Sequence, residues 1–280
     1  MKYIKCITVS AMWGIFTSLT YLGTSGEFFF SDIIFQFSLP TITVNLIFVI
    51  EMSLRYFPFL IFQILFGTYI YKHFCSASVY YFSRCQNRVK WFLKEALSLY
   101  PLALLYILTM VVIGVIIVGI NNNIIFDKES FILLLYYLLI HSLWLYSTSL
   151  LINILAIKFE SSLAYSIVAG IQLTFLGMLL LWDEVLPLHD TYNLERNARL
   201  LQLNPIAHLV LPWRSSMIDA VNIRINEYLD FFMIDWSKIS FELNNSVLLF
   251  TIVSILIVIF GLIIVKKHEL ISIEMETGGI

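Results

Sequence analysis

The chain has 280 residues, of which 60% are hydrophobic and 13% are charged, whereas an ordinary soluble domain carries about 25% charged residues. A soluble core could not cover this much apolar surface, so the composition excludes an ordinary water-soluble protein. The formal net charge is only −2, and nothing in the sequence points to nucleic acid as a partner. We therefore predict one integral membrane domain over residues 1–280, with no soluble catalytic domain attached.

Six apolar stretches are each long enough to cross a bilayer, since a spanning helix needs about 20 mostly apolar residues. The first is predicted to be a retained helix rather than a signal peptide, because no clear small-residue cleavage site follows its apolar core. The fold class is therefore predicted as an all-α polytopic membrane protein with six transmembrane helices. Their bounds are Ile4–Leu22, Leu54–Tyr71, Leu99–Ile120, Phe131–Ile157, Leu163–Trp182 and Val247–Val265.

The distribution of charge predicts which side each loop faces, because cytoplasmic loops are enriched in lysine and arginine. Six spans with both termini cytoplasmic place 14 of the 19 acidic residues outside. The three cysteines, Cys6, Cys75 and Cys85, then fall near the inner face and are predicted to be free thiols. The inner face holds ten of the 17 basic residues, namely Lys2, Lys5, Lys72, Arg84, Arg88, Lys90, Lys94, Lys158, Lys266 and Lys267.

The stretch Phe28–Ile50 is apolar, but polar residues and a proline interrupt it. Within it, Thr41–Asn45 alternates polar and apolar side chains, which is typical of a short strand or an interfacial segment. Non-helical backbone exposed to lipid would leave amide groups unpaired, so we predict that the stretch lies outside, on the membrane or against other loops. Just after it, Glu51 and Arg55 stand four residues apart and are predicted to pair on one helix face.

A long external loop, residues 183–245, precedes the last span and is too long to lack structure of its own. A helix is predicted over Met217–Phe232, with Ser216 as its N-cap and Asp219 three residues on, as in a capping box. The apolar segment Asn204–Trp213 contains two prolines and is too short to span the membrane. We predict that it forms a re-entrant or interfacial hairpin.

The loop after the second span, residues 72–98, is basic and is predicted to be cytoplasmic. From Val89 onward, apolar residues recur on one helix face, which predicts an amphipathic helix at the inner headgroups. Pro101 is expected to form an elbow between this helix and the third span. A membrane-surface anchor is one interpretation of the helix.

The chemistry of enzymes is poorly represented in the sequence. No glycine is followed by lysine, so there is no Walker A phosphate loop, and neither a His-Glu-x-x-His nor a G-x-S-x-G motif is present. We predict no enzymatic activity, no cofactor and no metal site, and we interpret His189, Asp190 and Glu195 in the external loop as solvated side chains.

Three polar residues lie inside the predicted spans. His141, Gln63 and Gln172 are each predicted to make polar contacts between helices. The alternative is that they line a substrate path. Mid-membrane carboxylates, which ion-coupled transporters usually carry, are absent from the predicted spans, so the energy for any transport is expected to come from another subunit.

Several stretches resemble the permease subunits of ABC-2-type transporters, and most closely those for bacterial peptide or lantibiotic export and immunity. They are Gly67–Phe74, Tyr80–Arg84, Arg88–Trp91 and the Asn204-Pro205 segment. The resemblance extends to the pattern of six spans with a long last external loop.

The resemblance implies that the 72–98 loop is a coupling loop that docks on a separate ATP-binding subunit. It also implies a second permease copy or a related permease, and a location in the bacterial plasma membrane. The docking residues implied in this sequence are Tyr80, Tyr81, Phe82, Arg84, Asn87 and Arg88.

Three classes of function remain open from the sequence. The first is an ABC permease subunit for a peptide or amphipathic substrate, with import and export, and homodimer and heterodimer, all open. The second is an ATPase-independent membrane sensor or immunity protein that binds cationic peptides through the acidic outer face. The third is an intramembrane enzyme, which would need convergent polar groups within the spans.

Overall fold

A computed structural model describes residues 2–21, 26–39, 46–80, 88–180, 200–231 and 241–267. Helices dominate these ranges, and four short strands accompany them. The strands are β1 (Glu27–Phe29), β2 (Asn123–Ile125), β3 (Arg214–Ser215) and β4 (Phe241–Glu242). The helices are α1 (Lys2–Tyr21), α2 (Phe30–Phe37), α3 (Leu46–Phe66), α4 (Tyr69–Tyr80), α5 (Arg88–Asn121), α6 (Lys128–Lys158), α7 (Ser161–Leu180), α8 (Asp219–Phe231) and α9 (Leu243–Lys267).

Five helical runs in these ranges are long and apolar enough to cross a membrane, which confirms the prediction of a helical polytopic protein. The first predicted span forms α1, but α1 is not one of the five, because lysine, serine and threonine dilute its apolar residues. The count of six and the sides faced by the loops and termini therefore stay predictions. The five runs are Ile50–Cys75, Arg88–Asn121, Lys128–Lys158, Ser161–Leu179 and Leu243–Lys266.

Helix α6 is the centre of the bundle. It packs against α5, α7 and α9 and also contacts α2, α3 and α4, while α1 lies along α5. More than half of the apolar window of α6 is buried inside the protein, against 17% of that of α9. Side chains on α6 are therefore the ones placed to bond several helices at once.

Helix α5 corrects the predicted elbow at Pro101. The helix runs without interruption from Arg88 to Asn121, with Pro101 inside it. Its 34 residues make it about 51 Å long, against about 30 Å for the hydrocarbon core. Phe92, Ala96 and Leu99 are buried on one face before the proline, and packing on that face holds the helix through the missing hydrogen bond.

The segment after α1 also differs from its prediction. β1 pairs in parallel with β2, and α2 then packs between α5 and α6 with six of its eight residues buried. It therefore lies against the helices of the bundle rather than on a surface. Thr41–Asn45 lies outside the described residues, and α3 begins at Leu46, eight residues before the predicted start of the second span.

The described part of the long loop has two pieces. Residues 204–214, which we call the loop plug, form two short 3₁₀ turns, Ala207–Leu209 and Leu211–Trp213, and then enter β3, which pairs in parallel with β4. Helix α8 follows, close to its predicted bounds, with the Ser216 hydroxyl accepting from the backbone N–H of Ile218. The reciprocal partner of Ser216 is the side-chain amide of Asn222, not Asp219.

Candidate functional site: a buried polar seam and a break between two helices

Two glutamines from different helices meet inside the bundle. Gln63 Nε2 on α3 donates to Gln172 Oε1 on α7 at 2.9 Å, and Gln172 Nε2 donates back to Gln63 Oε1 at 3.2 Å. Gln63 Nε2 also donates to Thr148 Oγ1 on α6, and the Tyr56 hydroxyl on α3 donates to Gln172 Oε1 at 2.6 Å. These four residues form what we call the polar seam, and the predicted interhelical contacts of Gln63 and Gln172 are confirmed.

The polar seam is closed to solvent. Tyr56, Gln63 and Gln172 are at most 2% exposed, so an unmade hydrogen bond there would cost much more than one at the surface. Each amide is instead paired with a group on another helix. The seam therefore holds α3, α6 and α7 in one register, and it offers no path for a substrate while these bonds are made.

His141 lies on α6 beside the seam. Its Nδ1 is 2.9 Å from the carbonyl oxygen of Tyr137 in the same helix, so Nδ1 carries the proton and donates. Its contact with a neighbouring helix is made by the ring, which stacks on Phe59 of α3 at a centroid distance of 5.7 Å. The ring also lies close to the backbone of Leu209 in the loop plug, so His141 bonds within α6 and contacts both α3 and the plug.

The helical run that contains α3 and α4 is broken at Gly67 and Thr68. The Gly67 N–H still bonds to the Gln63 carbonyl, but α4 starts afresh at Tyr69. A Cβ on Gly67 would lie 3.1 Å from the Ile152 side chain on α6 and would press against the Gln63 carbonyl. Glycine thus lets α6 approach the break closely.

Asn153 on α6 bonds to the backbone on both sides of this break. Its Nδ2 donates to the Phe66 carbonyl at 2.9 Å and to the Ser149 carbonyl at 2.8 Å. Its Oδ1 accepts from the N–H groups of Ile70 at 2.7 Å and Tyr71 at 3.1 Å. One side-chain amide, fully buried, therefore satisfies the end of α3 and the start of α4 together.

The loop plug lies at the opposite end of the seam. Asn204 Nδ2 donates to the Phe175 carbonyl of α7 at 2.8 Å. The Ser38 hydroxyl, just after α2, donates to the Leu209 carbonyl and accepts from the Leu211 N–H at 2.9 Å. Every residue from 206 to 214 is buried, so the plug is packed into the bundle rather than lying over it.

His208 is the titratable residue at the centre of the plug. Its Nε2 donates to the Gln202 carbonyl at 2.7 Å, and its Nδ1 accepts from the Ser246 hydroxyl of α9 at 3.1 Å. Burial, together with the nearby positive charge of Arg214, lowers the pKa of His208 to about 4. The ring is therefore neutral at pH 7, and its proton sits on Nε2.

Arg55 joins α3 to the end of α2 at the same end of the bundle. The guanidinium donates to the Ser38 carbonyl at 2.8 Å, the Phe35 carbonyl at 3.3 Å and Gln36 Oε1 at 2.8 Å. It also forms the predicted ion pair with Glu51. A cation at the C-terminal carbonyls of a helix is favoured by the helix dipole, so Arg55 fixes α2 as well as neutralising Glu51.

Two of the six predicted docking residues belong to described helices at the end of the bundle that carries the break. Tyr80 is the last residue of α4, and Arg88 is the first residue of α5. The other four, Tyr81, Phe82, Arg84 and Asn87, lie outside the described residues, as do His189, Asp190 and Glu195. The two flanking helices contact each other where His73 Nδ1 is 3.4 Å from Glu95 Oε2 and where Phe74 meets Trp91 at a centroid distance of 6.0 Å.

Sequence reasoning missed Asn153 and most of the bonds of Arg55. An asparagine inside an apolar span is a usable signal, because it needs partners there, but the sequence does not show which helix it meets. Arg55 was assigned only its local partner Glu51, because α2 was not predicted as a helix.

No protein-family model matches the chain, and no curated protein or solved structure matches it at a significant level. A function has to come from the residues of the chain itself, above all from the polar seam, the break at Gly67–Thr68 and the helices that flank residues 81–87.

Proposed function

We propose that the chain is the transmembrane permease subunit of an ATP-driven transporter, which moves a peptide or amphipathic substrate in export or self-immunity. A separate ATP-binding subunit would supply the energy, and a second permease copy would complete the translocation unit. The location would be the plasma membrane of a bacterium. The residue pattern that resembles ABC-2-type permeases motivates this proposal.

The observation that carries the proposal is the way residues 81–87 are connected to the spans. On one side α5 continues from Arg88 through 34 residues without a break. On the other side α4 is joined to α3 through the break at Gly67–Thr68. A segment joined to one uninterrupted helix and to one interrupted helix suits a lever, because a push on it would be transmitted along α5 while α4 turned at the break.

The polar seam supplies the part that would have to open. It is closed in this structure, so a change of access would require α7 to separate from α3 and α6. Gln63, Gln172 and His141 would then come to line the opened path. Docking of the ATP-binding subunit would use Tyr80, Tyr81, Phe82, Arg84, Asn87 and Arg88.

The test is a pull-down of the full chain from its native cells in mild detergent. We expect an ATP-binding subunit to copurify with the natural chain and to be lost with the double variant Arg84→Glu, Arg88→Glu. The matched control is Lys90→Glu, Lys94→Glu, which makes the same change of charge on exposed positions of α5 and should keep the subunit. Absence of any ATP-binding subunit, even after crosslinking, would overturn the proposal.

A second candidate is an ATPase-independent sensor or immunity protein that binds cationic peptides. The observation that favours it is a group of carboxylates around Arg224, whose Nε lies 3.1 Å from Asp127 Oδ2 and whose Nη1 lies 2.7 Å from Glu227 Oε2. Asp32 lies close enough for its carboxyl to feel the Arg224 charge. Peptide binding that weakens strongly with salt, with no ATP-binding partner, would favour this candidate.

A further inference from the structure

We infer that Asn153 is a positioning residue that latches α4 to the bundle, and that Gly67–Thr68 is the hinge it controls. The inference rests on the proposed function only for the force that would move α4. The hinge itself is a property of this chain and is testable without any partner.

The break between α3 and α4 leaves backbone groups of both helices without partners inside their own helix. A helix that stops inside a membrane protein frees carbonyls at its end, and a helix that starts there frees N–H groups. Lipid cannot satisfy either set, so protein groups must do so. The carbonyl of Phe66 and the N–H groups of Ile70 and Tyr71 belong to these two sets, and Asn153 bonds to all three.

The cap at the start of α4 comes from another helix, α6. Thr68 precedes α4 and stands where an N-cap side chain would ordinarily bond to the second and third N–H groups of a helix. Those groups belong to Ile70 and Tyr71, and both bond to Asn153 on α6 instead. The start of α4 is therefore capped by a residue of α6 rather than by Thr68, the residue directly before it.

Helix α3 is held by a separate set of bonds, those of the polar seam. The polar seam bonds Gln63 of α3 to α6 and α7, a full turn before the break. Release of the Asn153 amide would therefore loosen the start of α4, which keeps its contacts with α5, while α3 stays in place. This separation is what distinguishes a hinge from a merely stabilising contact.

The experiment measures two distances by pulsed electron paramagnetic resonance on the full chain in nanodiscs. Spin labels go onto a background in which Cys6, Cys75 and Cys85 are replaced by alanine. One pair, at Lys72 and Ser162, reports α4 against α7. The other pair, at the exposed positions Ile64 and Leu173, reports α3 against α7.

In Asn153→Leu we expect the α4 distance distribution to broaden about twofold or more, as local release of one element predicts, while the α3 distribution stays as in the natural chain. Ser147→Ala is the matched control, since the buried Ser147 hydroxyl bonds to the Trp144 carbonyl of the same helix, and its loss should leave both distributions unchanged. Asn153→Asp keeps the acceptor for Ile70 and Tyr71 but loses the donor to Phe66. It should give an intermediate width and serves if the leucine variant fails to fold.

Two results would overturn the inference. An α4 distribution unchanged in both Asn153 variants would mean that other contacts position α4. Equal broadening of both pairs would mean that Asn153 stabilises the whole bundle and controls no hinge. Neither result bears on the pull-down of an ATP-binding subunit, so failure of the hinge and failure of the proposed function are distinguishable.

Discussion

The two ends of the helix bundle are held together in different ways. At the end occupied by the loop plug, several separate side chains each bond to a neighbouring element: Ser38 after α2, Arg55 on α3, Asn204 in the plug and Ser246 on α9. At the other end, the junction of α3 with α4 depends on the single amide of Asn153. Helix α4 also contacts α5, through His73 and Phe74, but the backbone groups at its junction with α3 are bonded by one amide. A junction that depends on one amide is easier to release than an end held by many independent bonds, so the α4 end is the one suited to move.

The largest effect is expected from Arg55→Met, which removes the side chain that makes the most bonds at the end of the bundle that carries the loop plug. The change leaves Glu51 as a poorly compensated partner and removes the donors to the Phe35 and Ser38 carbonyls. Breaking a buried pair from one side costs about 3–5 kcal/mol, and we expect a loss of that size in the free energy of unfolding in detergent. Arg55→Lys, the control, keeps the charge and should lose clearly less. A loss below about 1 kcal/mol would show that Arg55 behaves as an ordinary surface residue.

The next largest effect is a pH dependence of the free energy of unfolding, which comes from His208 at the end that carries the loop plug. His208 is neutral in the folded chain because its pKa is lowered to about 4, while in the unfolded chain it titrates near 6.5. The folded state therefore binds fewer protons, and its stability is full above about pH 6.5 and falls as the pH drops to about 4. The pKa difference corresponds to a loss of about 3 kcal/mol below pH 4.

Measuring the free energy of unfolding from pH 7 to pH 3.5 checks this dependence, with His208→Gln as the control. Glutamine does not titrate, so the part of the pH dependence that belongs to His208 should vanish in this variant. Identical profiles for the two proteins would contradict a neutral His208 held between Gln202 and Ser246.

A smaller effect is expected in the polar seam, which connects the two ends. Gln63→Leu removes the acceptor of Gln172 Nε2, while Gln172 Oε1 keeps the Tyr56 hydroxyl, and the expected loss in the free energy of unfolding is about 1–2 kcal/mol. The double variant Gln63→Leu, Gln172→Leu should lose less than the sum of the two single variants, because it leaves fewer unpaired groups. Gln202→Leu, at an exposed position, is the matched control with little expected effect. Strict additivity would mean that the two amides do not act as a pair.

The sequence predicted well what depends on apolar length. The membrane character, the helical class and the bounds of α6 and α9 follow from long apolar runs that must satisfy their own backbone groups in lipid. Gln63 and Gln172 could be assigned interhelical roles for the same reason, since an amide in a span needs a partner. Their pairing with each other could not be predicted, because it depends on which helices become neighbours.

The sequence failed where packing overrides a local signal. Pro101 was expected to separate two helices, yet one uninterrupted helix contains it, with buried side chains on either side of the proline. Phe30–Phe37 looked like part of a surface segment, yet it forms a buried helix, because the Arg55 guanidinium and the Ser38 N–H bond to the carbonyls at its end. The break at Gly67–Thr68 could not be anticipated either, since the residue that stabilises it, Asn153, is more than eighty positions away.

The smallest effect is expected from Thr68→Ala, at the start of α4. Replacing an ordinary N-cap threonine by alanine costs about 0.5–2 kcal/mol, but the N–H groups that Thr68 would cap already bond to Asn153. We therefore expect Thr68→Ala to change the free energy of unfolding by less than about 0.5 kcal/mol, and Asn153→Leu, measured alongside, to lose more than Thr68→Ala does. A cost of about 1 kcal/mol or more for Thr68→Ala would mean that Thr68 itself caps the start of α4. In that case the junction of α3 with α4, too, would depend on more than one side chain, and the two ends would differ only in degree.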